Sequence, residues 1–238
     1  MRVYFDIHTH TTASGHAFST FKENLEEAAA KGLTAYGISD HAPAMPGSAP
    51  AIYFNNFKCI RREVMGIRVY TGVEANIMDS QGNLDLDESV LKKMDYVIAS
   101  LHVPCIKPGT AKENTDALIG AMKNPYVKII GHPDDGRYPL EYERLIPAAL
   151  EHRVALEVNN SSFVARSGRL NAAENTARWL SIAKEYRLPV ILNSDAHIYY
   201  DVGDVTESIK ALERAGYPEE LVLNAREDGI EYVLNKKL

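Results

Sequence analysis

Eight histidines occur in the chain, and seven of them fall at or just past the ends of short apolar, β-branched runs. His8 and His10 stand in DIHTH, with His16 a few residues on. His41 closes ISDH, His102 closes ASLH, His132 follows IIG, and His197 ends NSDAH. Only His152, at the end of a predicted helix, lies outside the set. Two carboxylates share the register, Glu74 in TGVEAN and Asp195 in NSDAH. A lone histidine in such a place is usually an ordinary hydrogen-bonded side chain, and Glu74 alone could be an ion-pair partner. Seven histidines at equivalent positions are not explained that way. Imidazole nitrogens and carboxylate oxygens, with no thiolate, suit zinc, manganese or iron(II). Nine such ligands exceed the need of one ion. At three or four each, with one shared carboxylate, they suit two or three. Such clusters lower the pKa of water to roughly 7 and clamp the attacking and leaving oxygens of a displacement.

Ligands this far apart in sequence need a fold that gathers them. The predicted strands are Val3–Ile7, Ala35–Ser39, Arg68–Glu74, Tyr96–Leu101, Val127–Gly131, Ala155–Asn159 and Pro189–Asn193. Several are near-continuous apolar runs (VKIIG, VALEV, PVILN), as strands covered on both faces require. Helices are predicted between them. Thr20 to Glu23 is a capping box opening a helix to Lys31, with Gly32 as its stop. Asn114–Met122, Tyr142–His152, Asn171–Tyr186 and Val205–Ala215 follow. Seven successive β-α units imply a parallel sheet with right-handed crossovers. A closed or nearly closed barrel is favoured over an open sheet, because no Gly-rich dinucleotide loop follows the first strand and polar residues emerge at every strand end. In a parallel barrel those ends meet on one face. Pro43–Pro50 reads as a loop near that face.

The length and composition suit a single domain over residues 1–238, with 45% apolar and 24% charged residues. A net charge of −6 argues against sequence-independent nucleic-acid binding, which needs a basic footprint. It does not argue against small phosphorylated substrates, because bound metals reverse the local charge. Cys59 and Cys105 form no CxxC pair and read as free thiols of a reducing compartment. The first residues enter a strand directly, without a signal-peptide pattern, and no apolar run approaches the roughly 18 residues of a membrane span. A soluble, cytoplasmic protein is expected.

The segments DIHTHTTASGHAFST, ISDHAP, TGVEANI, ASLH, IIGHPDD and NSDAH resemble the signature segments of the PHP (polymerase and histidinol phosphatase) superfamily. The likeness runs from Met1 to the C-terminus and is closest to the YcdX-type phosphatases, which also carry a segment like ALEVNNSSF at Ala155–Phe163. The resemblance implies a distorted (β/α)7 barrel with a trinuclear centre at the C-terminal ends of the parallel strands. Carried over motif by motif, His8, His10, Glu74 and Asp195 would hold one metal. Glu74 would bridge to a second, held with His102 and His132. His16, His41 and His197 would hold the third. Zinc is favoured, with manganese or iron as alternatives. The implied chemistry is phosphoester hydrolysis by a metal-activated hydroxide, and relatives suggest a homo-oligomer such as a trimer.

Other residues are candidates on chemistry alone. Arg137, Arg166 and Arg169 fall in loops after the fifth and sixth strands, and arginine suits bidentate phosphate binding. Asn160 could donate to phosphate, although it could equally satisfy its own turn. Glu157 could face the barrel interior as a partner to a ligand histidine. Asp40 could shuttle protons or orient a ligand. The expected function is hydrolysis of small phosphomonoesters, such as histidinol phosphate or a sugar or nucleotide phosphate. Alternatives are a phosphodiesterase or 3′–5′ exonuclease, and a non-catalytic metal store or sensor. Nine ligands over three ions leave open positions, which favours catalysis.

Overall fold

β-Branched and aromatic residues concentrate in the segments that become strands, most of them buried along their length. A computed structural model describes residues 1–235. In chain order the elements are β1 (Phe5–Asp6), α1 (Phe21–Ala30), β2 (Ala35–Ile38), α2 (Ala51–Asn55), β3 (Glu63–Val64), β4 (Ile67–Asn76), α3 (Glu88–Leu91), β5 (Tyr96–Ser100), α4 (Ala111–Met122), β6 (Val127–Ile130), α5 (Tyr142–His152), β7 (Ala155–Asn159), α6 (Ala172–Glu185), β8 (Val190–Asn193), α7 (Thr206–Ala215) and α8 (Gly229–Leu234). All strands but β3 pair in parallel in the order β1-β2-β4-β5-β6-β7-β8. The result is a nearly closed α/β barrel.

Closure is irregular where β1 meets β8. One isolated parallel bridge, Thr9 to Ala196, ties the two segments above the strands. Below it, Asn224 stands in for missing ladder bonds. Its Nδ2 donates to the carbonyls of Phe5 (2.8 Å) and Leu192 (2.7 Å), and its Oδ1 accepts from the Leu192 amide at 2.7 Å. This seam distorts the barrel.

Inward-facing positions recur every second residue along a strand. Four strands change character along that parity: Tyr70-Gly72-Glu74-Asn76, Tyr96-Ile98-Ser100-His102, Ala155-Glu157-Asn159 and Ile191-Asn193-Asp195. The lower members are apolar and join Phe5, Ile7, Ile129, Leu223, Ile230 and Val233 in an inner core, so α8 plugs the base. The upper members are polar and line the site. Gly37 and Gly72 make room for the Tyr96 ring, which a Cβ at either position would strike. A second, larger core lies between the strands and the outer helices and includes Trp179, Leu145 and Leu118.

The sequence-predicted helices form with small shifts of boundary. The Thr20–Glu23 capping box is present. A second box, Thr110 with Glu113, starts α4 at Ala111 rather than at Asn114. The short helices α2, α3 and α8 were not expected, nor was β3, which folds antiparallel onto β4 through Met65 and Gly66 at φ 55° and 74°. Among the described residues no helix is long and apolar enough to cross a membrane.

Candidate metal centre

Glu74 stands at the middle of the polar end, fully buried on β4. Its two oxygens face two groups of imidazoles. Oε2 lies 3.4 Å from His8 Nε2, 3.5 Å from His10 Nε2 and 2.7 Å from His41 Nδ1. Oε1 lies 3.2 Å from His102 Nε2 and 3.0 Å from His132 Nε2. Asp195 Oδ1 approaches His10 Nε2 at 3.1 Å and His8 Nε2 at 3.5 Å. On the outer side, His16 Nε2 and His197 Nε2 are 3.0 Å apart, and the His16 ring lies 4.9 Å from that of His41. All nine sequence-predicted ligands are therefore brought to one end of the barrel.

The donor set fits divalent ions. His8 Nε2, His10 Nε2, His41 Nδ1 and Glu74 Oε2 are buried and make no well-aligned hydrogen bond, for all their close approach to one another and to Asp195. Buried polar atoms are normally satisfied, so four converging orphans point to ligation. Ligand atoms of His8, His10 and Glu74 lie within 4.8 Å of one another, as do those of His41, Glu74 and His102, and of His10, His41 and His197.

Protonation states agree with that reading except at His8, where burial lowers the imidazole but Glu157, Glu74 and Asp195 outweigh it and hold it well above its ordinary value. Burial and the neighbouring imidazoles hold His10 well below its ordinary value, and burial with the same influences takes His16 down to about 4. Burial alone would raise Glu74, but His102, His41 and His8 outweigh it and keep the carboxyl well below its usual range. Asp195 behaves likewise beside His8 and Arg169. Neutral imidazoles and ionised carboxylates are the forms that bind metal.

Second contacts fix the rings. His8 Nδ1 meets Glu157 Oε1 at 2.7 Å, His10 Nδ1 meets Ser14 Oγ at 3.0 Å, and His102 Nδ1 meets Asn76 Oδ1 at 2.7 Å. Such partners choose the tautomer that leaves the other nitrogen free to ligate. Two of the nine sit in left-handed backbone, His132 at φ 31° and Asp195 at φ 55°. In His132 this turn returns the ring to the interior after β6, out of strand parity. The His16 loop lies against Pro43–Pro50 through Gly15 at φ 78°, where a Cβ would collide with the Gly47 carbonyl.

The centre floors a cavity of about 560 Å³, within the roughly 300–1,000 Å³ common for ligand sites. Arg169, nearly buried, donates from Nη2 to Asp195 Oδ2 at 2.8 Å and from Nη1 to Asn159 Oδ1 and Ser162 Oγ. Arg137 and Arg166 line the mouth, paired with Asp135 and Asp201. Phe18, Ile198 and Tyr200 form an apolar part of the wall.

Residues 6–161 match the family model described as the PHP domain. A probable phosphatase of Caldanaerobacter subterraneus subsp. tengcongensis is 49% identical over 238 residues, covering 100% of this chain and 93% of that one. The chain belongs to the PHP family. Solved structures share the PHP fold at low identity. Histidinol phosphate phosphatase from Lactococcus lactis, complexed with zinc, L-histidinol and phosphate, is 16% identical with a TM-score of 0.59, covering 90% of this chain and 94% of that one. A putative histidinol phosphatase from Listeria monocytogenes is 16% identical with a TM-score of 0.62, covering 86% and 99%.

Two candidate residues turn away from the cavity of this PHP barrel. Asn160 Oδ1 accepts from the amides of Glu207 and Ser208, satisfying the start of α7. Asp40 is fully buried and accepts from the Thr11 amide and hydroxyl, Ser14 Oγ and Tyr53 OH, so it holds Ser14 against His10. Asn76, Ser14 and Asn193 were not singled out in the sequence. Asn76 and Asn193 carried a signal, since each lies two residues from a ligand along a strand.

Proposed function

We propose that the protein is a metal-dependent phosphatase that hydrolyses small phosphomonoesters at a three-metal centre. The observation that carries this reading is the split of Glu74, one oxygen toward His8, His10 and His41 and the other toward His102 and His132, at the floor of an open cavity. In this reading His8, His10, Glu74 and Asp195 hold one ion, and Glu74 with His102 and His132 holds a second. His16, His41 and His197 hold the third. Zinc is the ion we favour, in keeping with the zinc complexed by the Lactococcus enzyme; manganese and iron(II) suit the same donors. Bound ions would supply an activated water and Lewis-acid charge at the phosphoryl group.

The chain's own residues do the rest. Arg169 would hold a phosphoryl oxygen from the cavity wall while keeping Asp195 in place. Arg137 and Arg166 would receive substrate at the mouth, and the leaving group would lie toward Phe18, Ile198 and Tyr200. Histidinol phosphate and sugar or nucleotide phosphates are the candidate substrates, in a cytoplasmic setting. Probable phosphatases across the full chain length support this choice of reaction.

Phosphate release from a panel of monoesters and diesters, with metal-stripped protein and zinc, manganese or iron(II) restored, tests the reading. Metal-restored cleavage of monoesters with diesters inert is expected. Preferred diester cleavage would favour the exonuclease class, and tight metal binding without turnover would favour a storage or sensing role.

A further inference from the structure

Of the seven parallel strands, β7 alone delivers none of the nine sequence-predicted ligands. β1 leads to His8, His10 and His16, β2 to His41, β4 to Glu74, β5 to His102, β6 to His132, and β8 to Asp195 and His197. β7 instead carries Glu157, two residues before Asn159 and in register with Ile191 of β8, with no exposed surface.

Four groups converge on that carboxylate. Oε1 meets His8 Nδ1 at 2.7 Å and accepts from Asn193 Nδ2 at 2.8 Å. Oε2 accepts from the His132 amide at 2.9 Å and from Asn159 Nδ2 at 2.9 Å. The amide orientations are fixed by other bonds. Asn193 Oδ1 accepts from the Ile7 amide, and Asn159 Oδ1 accepts from the Ser162 amide and Arg169. Their nitrogens must therefore donate to Glu157, as must the backbone of His132. At 2.7 Å from this carboxylate His8 Nδ1 is a donor as well, and Nε2 is the ring nitrogen turned toward Glu74 and Asp195.

We propose that Glu157 is a shared positioning residue: one carboxylate sets the ring of His8 and the left-handed turn of His132, and so couples the metal positions on the two sides of Glu74. This rests on the three-metal reading above. His8 belongs to the position with His10 and Asp195, and His132 to the position with His102. A carboxylate is required because every partner is a donor. Glutamine would turn an NH2 group toward two of them, whichever way its amide lies.

The test is competition for zinc between a chelator and the loaded protein, comparing wild type, Glu157→Gln and Asn76→Ala. Asn76 touches only His102 among the ligands, at Nδ1. Asn76→Ala should weaken one zinc equivalent. Glu157→Gln should weaken two together, each by about 10- to 100-fold, and should alter the visible spectrum of the cobalt(II)-substituted protein. Glu157→Asp keeps the charge but is one methylene short, and should weaken the same two equivalents by less. It carries the comparison if the glutamine variant does not fold. Wild-type affinity and an unchanged cobalt spectrum in either Glu157 variant, or loss confined to one equivalent, would overturn the coupling. A wild-type protein that binds no zinc would instead overturn the metal reading itself.

Discussion

Arg169 donates to one oxygen of Asp195 at 2.8 Å, while the other oxygen of the same carboxylate lies 3.1 Å from His10 Nε2. One side chain thus joins the cavity wall to the ligand cluster. Arg169 is nearly buried, so its charge is only weakly screened by solvent.

Lysine cannot serve Asp195, Asn159 and Ser162 together, because it lacks the planar fork of arginine. Arg169→Lys should lower kcat/KM on a phosphomonoester by about 100-fold, the scale of losing one preorganised charge donor, with metal content retained. Steady-state kinetics alongside elemental analysis would check this. A near-wild-type rate would remove Arg169 from the substrate contacts.

Phe18 is 78% exposed and Tyr200 53%, and both line the cavity above the metal centre. Covering part of two rings is worth roughly 1–1.5 kcal/mol at about 25 cal/mol per Å². The double change Phe18→Ala with Tyr200→Ala should therefore cut kcat/KM for an aryl phosphate about tenfold relative to glycerol phosphate. Taking the ratio cancels effects on the metal centre. An unmoved ratio would place the leaving group elsewhere.

Asp134 lies beneath the site, with Ser162 Oγ and Thr176 Oγ1 donating to its two oxygens. Burial, only partly offset by Arg169 and these hydroxyls, raises its carboxyl from 3.8 to about 7. The folded state therefore holds this proton more tightly than the unfolded chain. The stability it contributes is complete below the unfolded value and is lost as pH rises through the folded one. Between those limits wild type should lose up to about 1.4 kcal/mol per pH unit relative to Asp134→Asn, which mimics the neutral acid. Denaturant unfolding of both proteins at pH 5, 6, 7 and 8 gives the difference. Parallel curves would mean that Asp134 is already ionised at pH 5.

The parallel strands and the nine converging side chains were legible in the sequence because both follow from local pattern. Apolar runs mark buried strands, and parity with strand ends marks the polar face. Glu157 could be read as facing inward for the same reason, two residues before Asn159 on β7. Asn224 could not be read. It lies in a short turn after α7, and its partners Phe5 and Leu192 sit on β1 and β8. Nothing in its neighbourhood announces a barrel seam. β3 escaped because two residues are too few for a periodicity, and α8 because its apolar residues plug the barrel base instead of covering an outer face. Asn160 stayed open between cavity and turn in the sequence because one strand-to-helix segment supplies both.

The seam offers a stability prediction. Asn224→Ala removes three side-chain hydrogen bonds and leaves the Leu192 amide and two carbonyls without those partners. At roughly 1 kcal/mol per bond, and more where a buried group stays unpaired, the cost should be about 3 kcal/mol. Denaturant titration of the two proteins measures it. A loss below about 1 kcal/mol would show that β1 and β8 are held by the remaining contacts.

The central claim is that activity resides in the metal cluster built around Glu74. The most direct measurement is phosphate release from a monoester as zinc is returned stepwise to metal-stripped protein. No turnover is expected without zinc, and the rise should level near about three equivalents per chain. Turnover that is independent of added metal, or full zinc binding with no phosphate released from any ester, would contradict it.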